Sequence, residues 1–370
     1  MSKKSILDDL EEIAKVDRSN MIDFCVEAPK HYERASKLVK AISIAYAKPE
    51  KIIVAGMGGS AIGGELTKDW ARDELVTPIE VCREYSLPQY ADKNTLVIIV
   101  SYSGETEETL SVFLDAIKRR CMTFCISSGG LLGEFAKKLS IPYLLVPSGM
   151  APRASLPYLF VPLPLLLEKV GLVSNVNSEI SDAIKNLKII SDANSPEKPV
   201  SKNLAKRLAS SLSDTIPVIY GFGIYCSVAH RLKTQFNENS KIPAKWDCFS
   251  ELDHNEIVGW EAANRLGKHF STVFIRDDNE SETMRARIRI TQELMRKKSL
   301  KIYEINSIGK SKIARMSSVI CTGDFASVYL AIMRGIDPTP VKSISLLKKK
   351  LKQTETKEKI INELQKIAKK

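Results

Sequence analysis

The chain is 370 residues long, 44% hydrophobic and 27% charged, with a formal net charge of +11. That length predicts two domains rather than one core, and the composition excludes a disordered or fibrous chain. The positive balance raises nucleic acid as a partner, but ten lysines face three glutamates between Pro340 and Lys370, so most of the excess is one C-terminal segment.

In that segment Ile and Leu fall at helical spacing without interleaved aromatics, which predicts amphipathic surface helices with solvated lysines and no nucleic-acid partner. No apolar run reads as long enough to span a bilayer. The opening "MSKKSILDDLEEIAKV" has acids close behind its lysines, so no signal peptide or membrane association is expected, and the expected location is cytoplasmic. Seven cysteines (Cys25, Cys82, Cys121, Cys125, Cys226, Cys248 and Cys321) scattered through apolar segments read as reduced thiols. None of the four histidines is spaced with a cysteine as a ligand set, so no metal is expected.

Helical patterns near Ile6–Lys15 and Tyr32–Tyr46 precede a first strand, "KIIVAG". A helix from Ser60 and a strand "PIEVCRE" follow. "TLVIIVS" is a continuous apolar run of the kind buried on both faces of a parallel sheet. "GETEETLSVFLDAIKRR" reads as a helix with acids first and bases last, in keeping with its dipole. "MTFCIS" and "IPYLLVP" complete the alternation. After a helical, polar stretch from Val176 to Ser213 the pattern restarts with strand "TIPVIYGFG", a helix over Ser227–Glu238, strand "STVFIRD", helix "ETMRARIRITQELMRKK" and strand "LKIYEIN". The prediction is α/β: two tandem domains, each a doubly wound, mainly parallel sheet between helices, with helical segments at both ends. The ranges read as an N-terminal helical segment 1–34, first domain 35–172, linker 173–200, second domain 201–350 and tail 351–370.

"VAGMGGSAIGGE" at Val54–Glu65 satisfies the permissive dinucleotide pattern G-x-G-x-x-A between a strand and a helix. That reading also wants an acid at the end of the second strand. Glu80 lies inside that strand, with Arg83 and Glu84 at its end, which disfavours NAD. "VSYSGETEET" at the next strand end crowds Ser101, Ser103 and Thr106 into a turn before a helix. A single N-cap needs one of them. Three hydroxyls beside a second glycine–serine turn, both at carboxyl strand ends, predict a phosphate site built from Gly58, Gly59, Ser60, Ser101, Ser103 and Thr106.

"GMGGSAIGGE" with "SYSGETEET" resembles a sugar isomerase (SIS) domain. "PRASLP" at Pro152–Pro157, "FNENSKIPA" at Phe236–Ala244, "ELDHNEIVGW" at Glu251–Trp260 and "RGIDPTPVKSISLLK" at Arg334–Lys348 extend the likeness. Together they resemble the bifunctional phosphoglucose/phosphomannose isomerase family found in archaea, over about residues 35–350. The resemblance implies interconversion of glucose 6-phosphate and mannose 6-phosphate with fructose 6-phosphate, through ring opening and a cis-enediol(ate), with no cofactor. It places the catalytic base on Glu238, with Glu251 and Glu256 as rivals, and ring opening on His254, with His230 as rival and His31 and His269 peripheral. Arg153 falls where a fixed cation stabilises the enediolate, and Lys348 where a lysine reaches the ring oxygen. Thr339 is a candidate for the C2 tolerance that admits both aldoses. The family's sites are shared between two subunits, so a homodimer is expected.

Two other readings stay open at this level. SIS domains also serve as non-catalytic sugar-phosphate sensors, which usually add a helix-turn-helix, and the first 30 residues lack its pattern. They also serve other sugar-phosphate enzymes. The amidotransferases among them need an N-terminal cysteine, where this chain reads Met-Ser.

Overall fold

A computed structural model of the chain describes residues 5–42, 44, 46–263, 265–298 and 300–369. From the N-terminus, α1 (Leu10–Val16), α2 (Met21–Val26) and α3 (Ala28–Lys40) precede β1 (Lys51–Ala55). α4 (Gly59–Ala71), β2 (Ile79–Cys82), β3 (Thr95–Val100), α5 (Glu107–Lys118), β4 (Met122–Ser127), α6 (Gly130–Lys138) and β5 (Tyr143–Leu145) follow. α7 (Leu156–Phe160), α8 (Pro162–Lys169), α9 (Val176–Asn194) and α10 (Leu204–Leu212) lead to β6 (Ile216–Phe222). Then come α11 (Cys226–Glu238), β7 (Lys245–Phe249), α12 (Glu256–Gly259), β8 (Phe270–Arg276), α13 (Glu282–Arg296), β9 (Lys301–Asn306), α14 (Lys312–Met333), α15 (Lys342–Leu351) and α16 (Thr356–Ala368). The helix expected to reach Tyr46 ends at Lys40; residues 43 and 45, in the remainder of that range, lie outside the described residues, as do the opening Met1 and Ser2.

The chain divides into two compact units, each discontinuous in sequence. One comprises His31–Ile180 with Val341–Lys370, the other Met1–Lys30 with Ser181–Pro340. The flanking segments are therefore exchanged crosswise: the N-terminal helices join the second half and the lysine-rich tail joins the first.

The unit built on His31–Ile180 has a sheet ordered β2-β1-β3-β4-β5, every pair parallel. All six residues of β3 are buried, as its unbroken apolar run requires of a central strand covered on both faces. Gly63 and Gly64 of α4 serve packing: a Cβ on Gly63 would stand 2.4 Å from Leu159 O, so α7 can lie close across α4 only because none is there. The tail closes the same core, with Ile360 and Leu364 of α16 buried among residues of α5 and α6.

The second unit has a sheet ordered β7-β6-β8-β9, again wholly parallel. β7, "KWDCF", is an element that the sequence pattern did not reveal. α14 is long and apolar enough by length and composition to cross a membrane, which corrects the reading that no such run exists; here nine-tenths of its apolar stretch is buried. The N-terminus is held by buried Lys206, whose ammonium donates to the carbonyls of Leu7, Pro196 and Lys198. Burial pulls that lysine's pKa down, opposed by the nearby carboxylates of Asp8 and Glu197. Asp17 caps α2 by accepting from the amides of Met21 and Ile22, both at 2.8 Å.

The cysteine expectation also needs correction. Cys226, first residue of α11, is bonded to Cys248 of β7, the strand paired beside β6. The chain turns back over the end of β6, which brings the two sulfurs together although the cysteines lie 22 positions apart in sequence. Cys25, Cys82, Cys121, Cys125 and Cys321 are free and buried.

Candidate active site

In the first unit the chain proceeds from β1 to β2 on one side and then crosses to β3 on the other. The gap between the ends of β1 and β3 is thus the topological switch point, where open α/β sheets bind ligands. Both predicted turns flank it. Gly56, the residue just past β1, lies so close to β3 that a Cβ would meet Val100 O at 2.8 Å. Gly58 takes φ +52° and precedes α4 without a side-chain cap. Ser60 points across the gap: its hydroxyl accepts from the amide of Tyr102 at 3.1 Å.

The second turn begins with buried Ser101, which donates to Thr106 Oγ1 at 3.1 Å. Thr106 stands at the N-cap of α5, yet its side chain caps no amide. Its hydroxyl turns back to Ser101, leaving the helix start to another acceptor. Exposed Ser103 accepts from the amide of Glu105 at 3.2 Å. Simple capping therefore does not account for these hydroxyls.

Tyr102 is the hub that sequence reasoning missed. Besides reaching Ser60, its carbonyl accepts from both the amide (2.9 Å) and the hydroxyl (2.7 Å) of Ser128. Its phenol donates to Pro147 O at 3.0 Å and accepts from the amide of Met150 at 3.0 Å. Burial pushes that phenol's pKa up, which keeps it a donor. Also missed was a third turn, "ISSGG" at the end of β4, where Ser127 donates to Gly129 O at 2.7 Å. It packs on the second turn so tightly that a Cβ on Gly104 would lie 1.9 Å from Gly129 O. A third small-residue cluster at a strand end was the signal for it.

Arg153 is brought to the first turn. Its side chain is only 2% exposed, and a Cβ on Gly59 would meet Pro152 O at 2.9 Å and Arg153 Cα at 3.5 Å. The glycine pair thus divides its work: Gly58 makes the bend and Gly59 lets the arginine loop approach. Lys348 sits on α15, which has no buried residue. Glu80, inside β2, accepts from Tyr90, and Arg83, just past the strand's end, pairs with Glu65.

In the second unit Glu238 closes α11, half-buried. Lys241 follows at φ +53° and its ammonium donates both to the Glu238 carbonyl and, at 2.7 Å, to Pro338 O. That clamp brings the glutamate turn beside Thr339, whose amide donates to Asp337 Oδ1 at 3.0 Å. Asn239 and Ser240 fix the turn to α14 by donating to Ser327 Oγ (2.9 Å) and Ser327 O (2.6 Å).

His254 belongs to another cluster, on an exposed turn whose Asp253 accepts from Arg287 (2.9 Å) and Thr291 (2.8 Å) of α13. Of the rivals, Glu256 accepts from the Tyr220 hydroxyl at 2.6 Å, and exposed Glu251 accepts from Asn255 at 2.7 Å. His230 stacks on Trp246 with ring centroids 4.7 Å apart. His31 is buried, with Nδ1 2.9 Å from the Tyr158 hydroxyl, while His269 is exposed.

The switch point of this sheet lies between β6 and β8. Tyr225 donates there to Asp277, which also faces Arg315 at 3.3 Å. Among the described residues no group of three or more His, Cys, Asp or Glu is placed to hold a metal ion.

Two doubly wound parallel sheets, one with hydroxyl-bearing turns on both sides of its switch point, define a tandem sugar isomerase architecture. Solved structures share that fold. A hypothetical protein from Thermus thermophilus superposes with a TM-score of 0.74 over 93% of this chain and 94% of its own, at 12% identity. A glucose-6-phosphate isomerase-like protein from the same organism superposes with a TM-score of 0.61 over 90% and 98%, at 17% identity. Residues 201–351 match the family described as the bacterial phospho-glucose isomerase C-terminal SIS domain. A bifunctional phosphoglucose/phosphomannose isomerase of Caldicellulosiruptor bescii is 41% identical over 90% of this chain and 98% of its own length. One from Thermoplasma acidophilum is 36% identical over 81% and 89%. The chain belongs to the bifunctional phosphoglucose/phosphomannose isomerase family.

Proposed function

We propose the following division of labour for an aldose–ketose isomerase that interconverts glucose 6-phosphate and mannose 6-phosphate with fructose 6-phosphate. The phosphate dianion takes the switch point between β1 and β3. Ser60, Ser101, Ser103 and Thr106 supply hydroxyls, and Gly58 and Gly59 supply amides. Neutral donors and a helix start hold a dianion without an obligatory lysine.

With the phosphate anchored, ring opening moves a proton between O5 and O1. His254 carries it, imidazole being the side chain that titrates near neutrality, and Lys348 assists at the ring oxygen. Glu238 takes the proton from C2 of the open aldose and returns it to C1, so the same carboxyl serves as base and then acid. Negative charge develops on the enediolate between these transfers, and the fixed guanidinium of Arg153 stabilises it. Glucose and mannose 6-phosphates differ only at C2 and give one planar enediol. A pocket that lets the C2–C3 bond turn serves both, and Thr339, held beside Glu238 through Lys241, is the residue that makes that room.

The observation that supports this reading is the bond from the Tyr102 amide to Ser60, which couples the two hydroxyl turns. A cytoplasmic homodimer with shared sites completes it, supported by the exposed position of His254. Glu238→Gln should abolish turnover of both aldose phosphates while inorganic phosphate still raises the melting temperature; a near-normal rate would overturn the assignment. Mixing inactive Glu238→Gln and His254→Ala chains tests the shared site. It should restore about a quarter of the activity, because half of randomly paired dimers then hold one intact site of two. No recovery after subunit exchange would place both residues in one chain.

A further inference from the structure

The helix α16 has no part in the reaction as described, yet it meets the phosphate site from behind. Ile360 and Leu364 are buried against α5 and α6. α5 starts directly after the Ser101–Thr106 turn and α6 directly after the Ser127–Gly129 turn. One helix therefore braces the two helices that issue from adjacent hydroxyl turns. Polar contacts sit at both ends of the brace. Glu363 faces Lys118 at the far end of α5, at 3.3 Å. At the near end Lys357 Nζ lies 2.5 Å from Glu105 Oε2, while Glu105 Oε1 accepts from the amide of Leu131 at 3.0 Å.

Glu105 stands inside the turn assigned to the phosphate, with Glu107 and Glu108 just beyond it. Glu107 accepts from the neutral Tyr85 hydroxyl. Three carboxylates at a dianion site oppose binding unless their charge is offset or held in place. We propose that Lys357 is a positioning residue for the sugar phosphate: it holds the Glu105 carboxylate on the Leu131 amide and offsets its charge, so that the Ser101–Thr106 turn accepts a dianion. The lysine-rich tail is thereby part of the binding site. This rests on the phosphate assignment above.

The pair is partly exposed, 28% and 45% for the two side chains, so its direct share of folding stability is small. Kinetics can separate positioning from support. Lys357→Met should raise KM for glucose 6-phosphate and Ki for inorganic phosphate together, about three- to tenfold, with kcat within about twofold. Lys357→Arg should restore both, and so should Glu105→Gln added to Lys357→Met, because the uncompensated charge is then gone. Ser103→Ala serves as the reference for the phosphate site itself. If Ser103→Ala raises KM and Lys357→Met does not, the positioning role fails and the site stands. If neither moves KM or Ki, the site assignment fails. A lowered melting temperature in Lys357→Met without rescue by Glu105→Gln would reduce α16 to structural support and overturn the proposal.

Discussion

The amide of Tyr102 donates to the hydroxyl of Ser60 across the switch point between β1 and β3. Forty-two residues apart in sequence, these two join the glycine turn to the serine turn. Ser60 thus ties the two turns together, and on the proposed assignment it also presents an oxygen to the phosphate. Ser60→Ala leaves a buried backbone donor without its acceptor, which costs about 1–3 kcal/mol. Urea denaturation should register that loss. On the proposed assignment inorganic phosphate should raise the melting temperature of the wild type, and that rise should shrink in the same variant. Unchanged stability would mean that Tyr102 finds another acceptor and that the turns are not coupled through Ser60.

Gly59 supplies the second prediction. Alanine there must push back the carbonyl of Pro152 and with it Arg153. Close approach of backbone to backbone leaves little room to yield, so Gly59→Ala should cost about 1–3 kcal/mol, as overpacking does. A displaced guanidinium should also lower kcat about tenfold to a hundredfold. Gly63→Ala is the control, because its Cβ would meet Leu159 O in the α4–α7 packing instead. It should lose stability with a smaller change in kcat. Equal kcat losses in the two variants would show that Gly59 acts through the fold and not through Arg153.

What could be read in the sequence follows from how locally each feature is determined. β3 was legible because six consecutive apolar-run residues need cover on both faces. α5 was legible from its charges. β7 was not: Lys245 and Trp246 are exposed on an edge strand of five residues, so neither length nor alternation marked it. α14 is apolar on nearly all sides and therefore has no stripe to reveal its period. The serines of the turns proposed for the phosphate stood out by residue type, whereas Tyr102 between them reads as one more apolar residue. Only the fold shows its backbone and phenol serving three segments. Likewise, the spacing of Ile360 and Leu364 predicted a helix, but which core receives it is a long-range matter that no local pattern encodes.

Lys241 gives the third prediction. It bridges the Glu238 carbonyl and Pro338 O, tying the turn of the proposed base to the loop of Thr339. Lys241→Met removes both bonds and frees the two turns to drift. A misplacement of about 1 Å at a catalytic carboxylate can cost about a hundredfold. The expected result is a fall in kcat of about tenfold or more, with Ki for inorganic phosphate unchanged, because the turns proposed for the phosphate lie in the other unit. A change in Ki with kcat preserved would contradict the clamp.

The last prediction concerns pH. Glu256 has its pKa raised, first by burial and then by the neighbouring Asp247 carboxylate, against the Tyr220 hydroxyl, which pulls it down by donating to the ionised form. Within the window between the unfolded and the folded pKa, the folded chain binds more protons than the unfolded one. Stability from this group is therefore greatest below the ordinary carboxylate range and declines as pH rises through the folded pKa. Asp182 and Glu304 have lowered values and act with the opposite sign, so the stability curve of the whole protein cannot isolate one residue. The difference between wild type and Glu256→Gln can. The amide keeps an oxygen for the Tyr220 hydroxyl, whose own oxygen still accepts from Trp260 at 3.0 Å, and it never ionises. Denaturation at about pH 4 and about pH 7.5 should therefore find the variant gaining on wild type as pH rises. A difference that shrinks or reverses at the higher pH would show that the ionised carboxylate is favoured where it stands, and would return Glu256 to contention as the base.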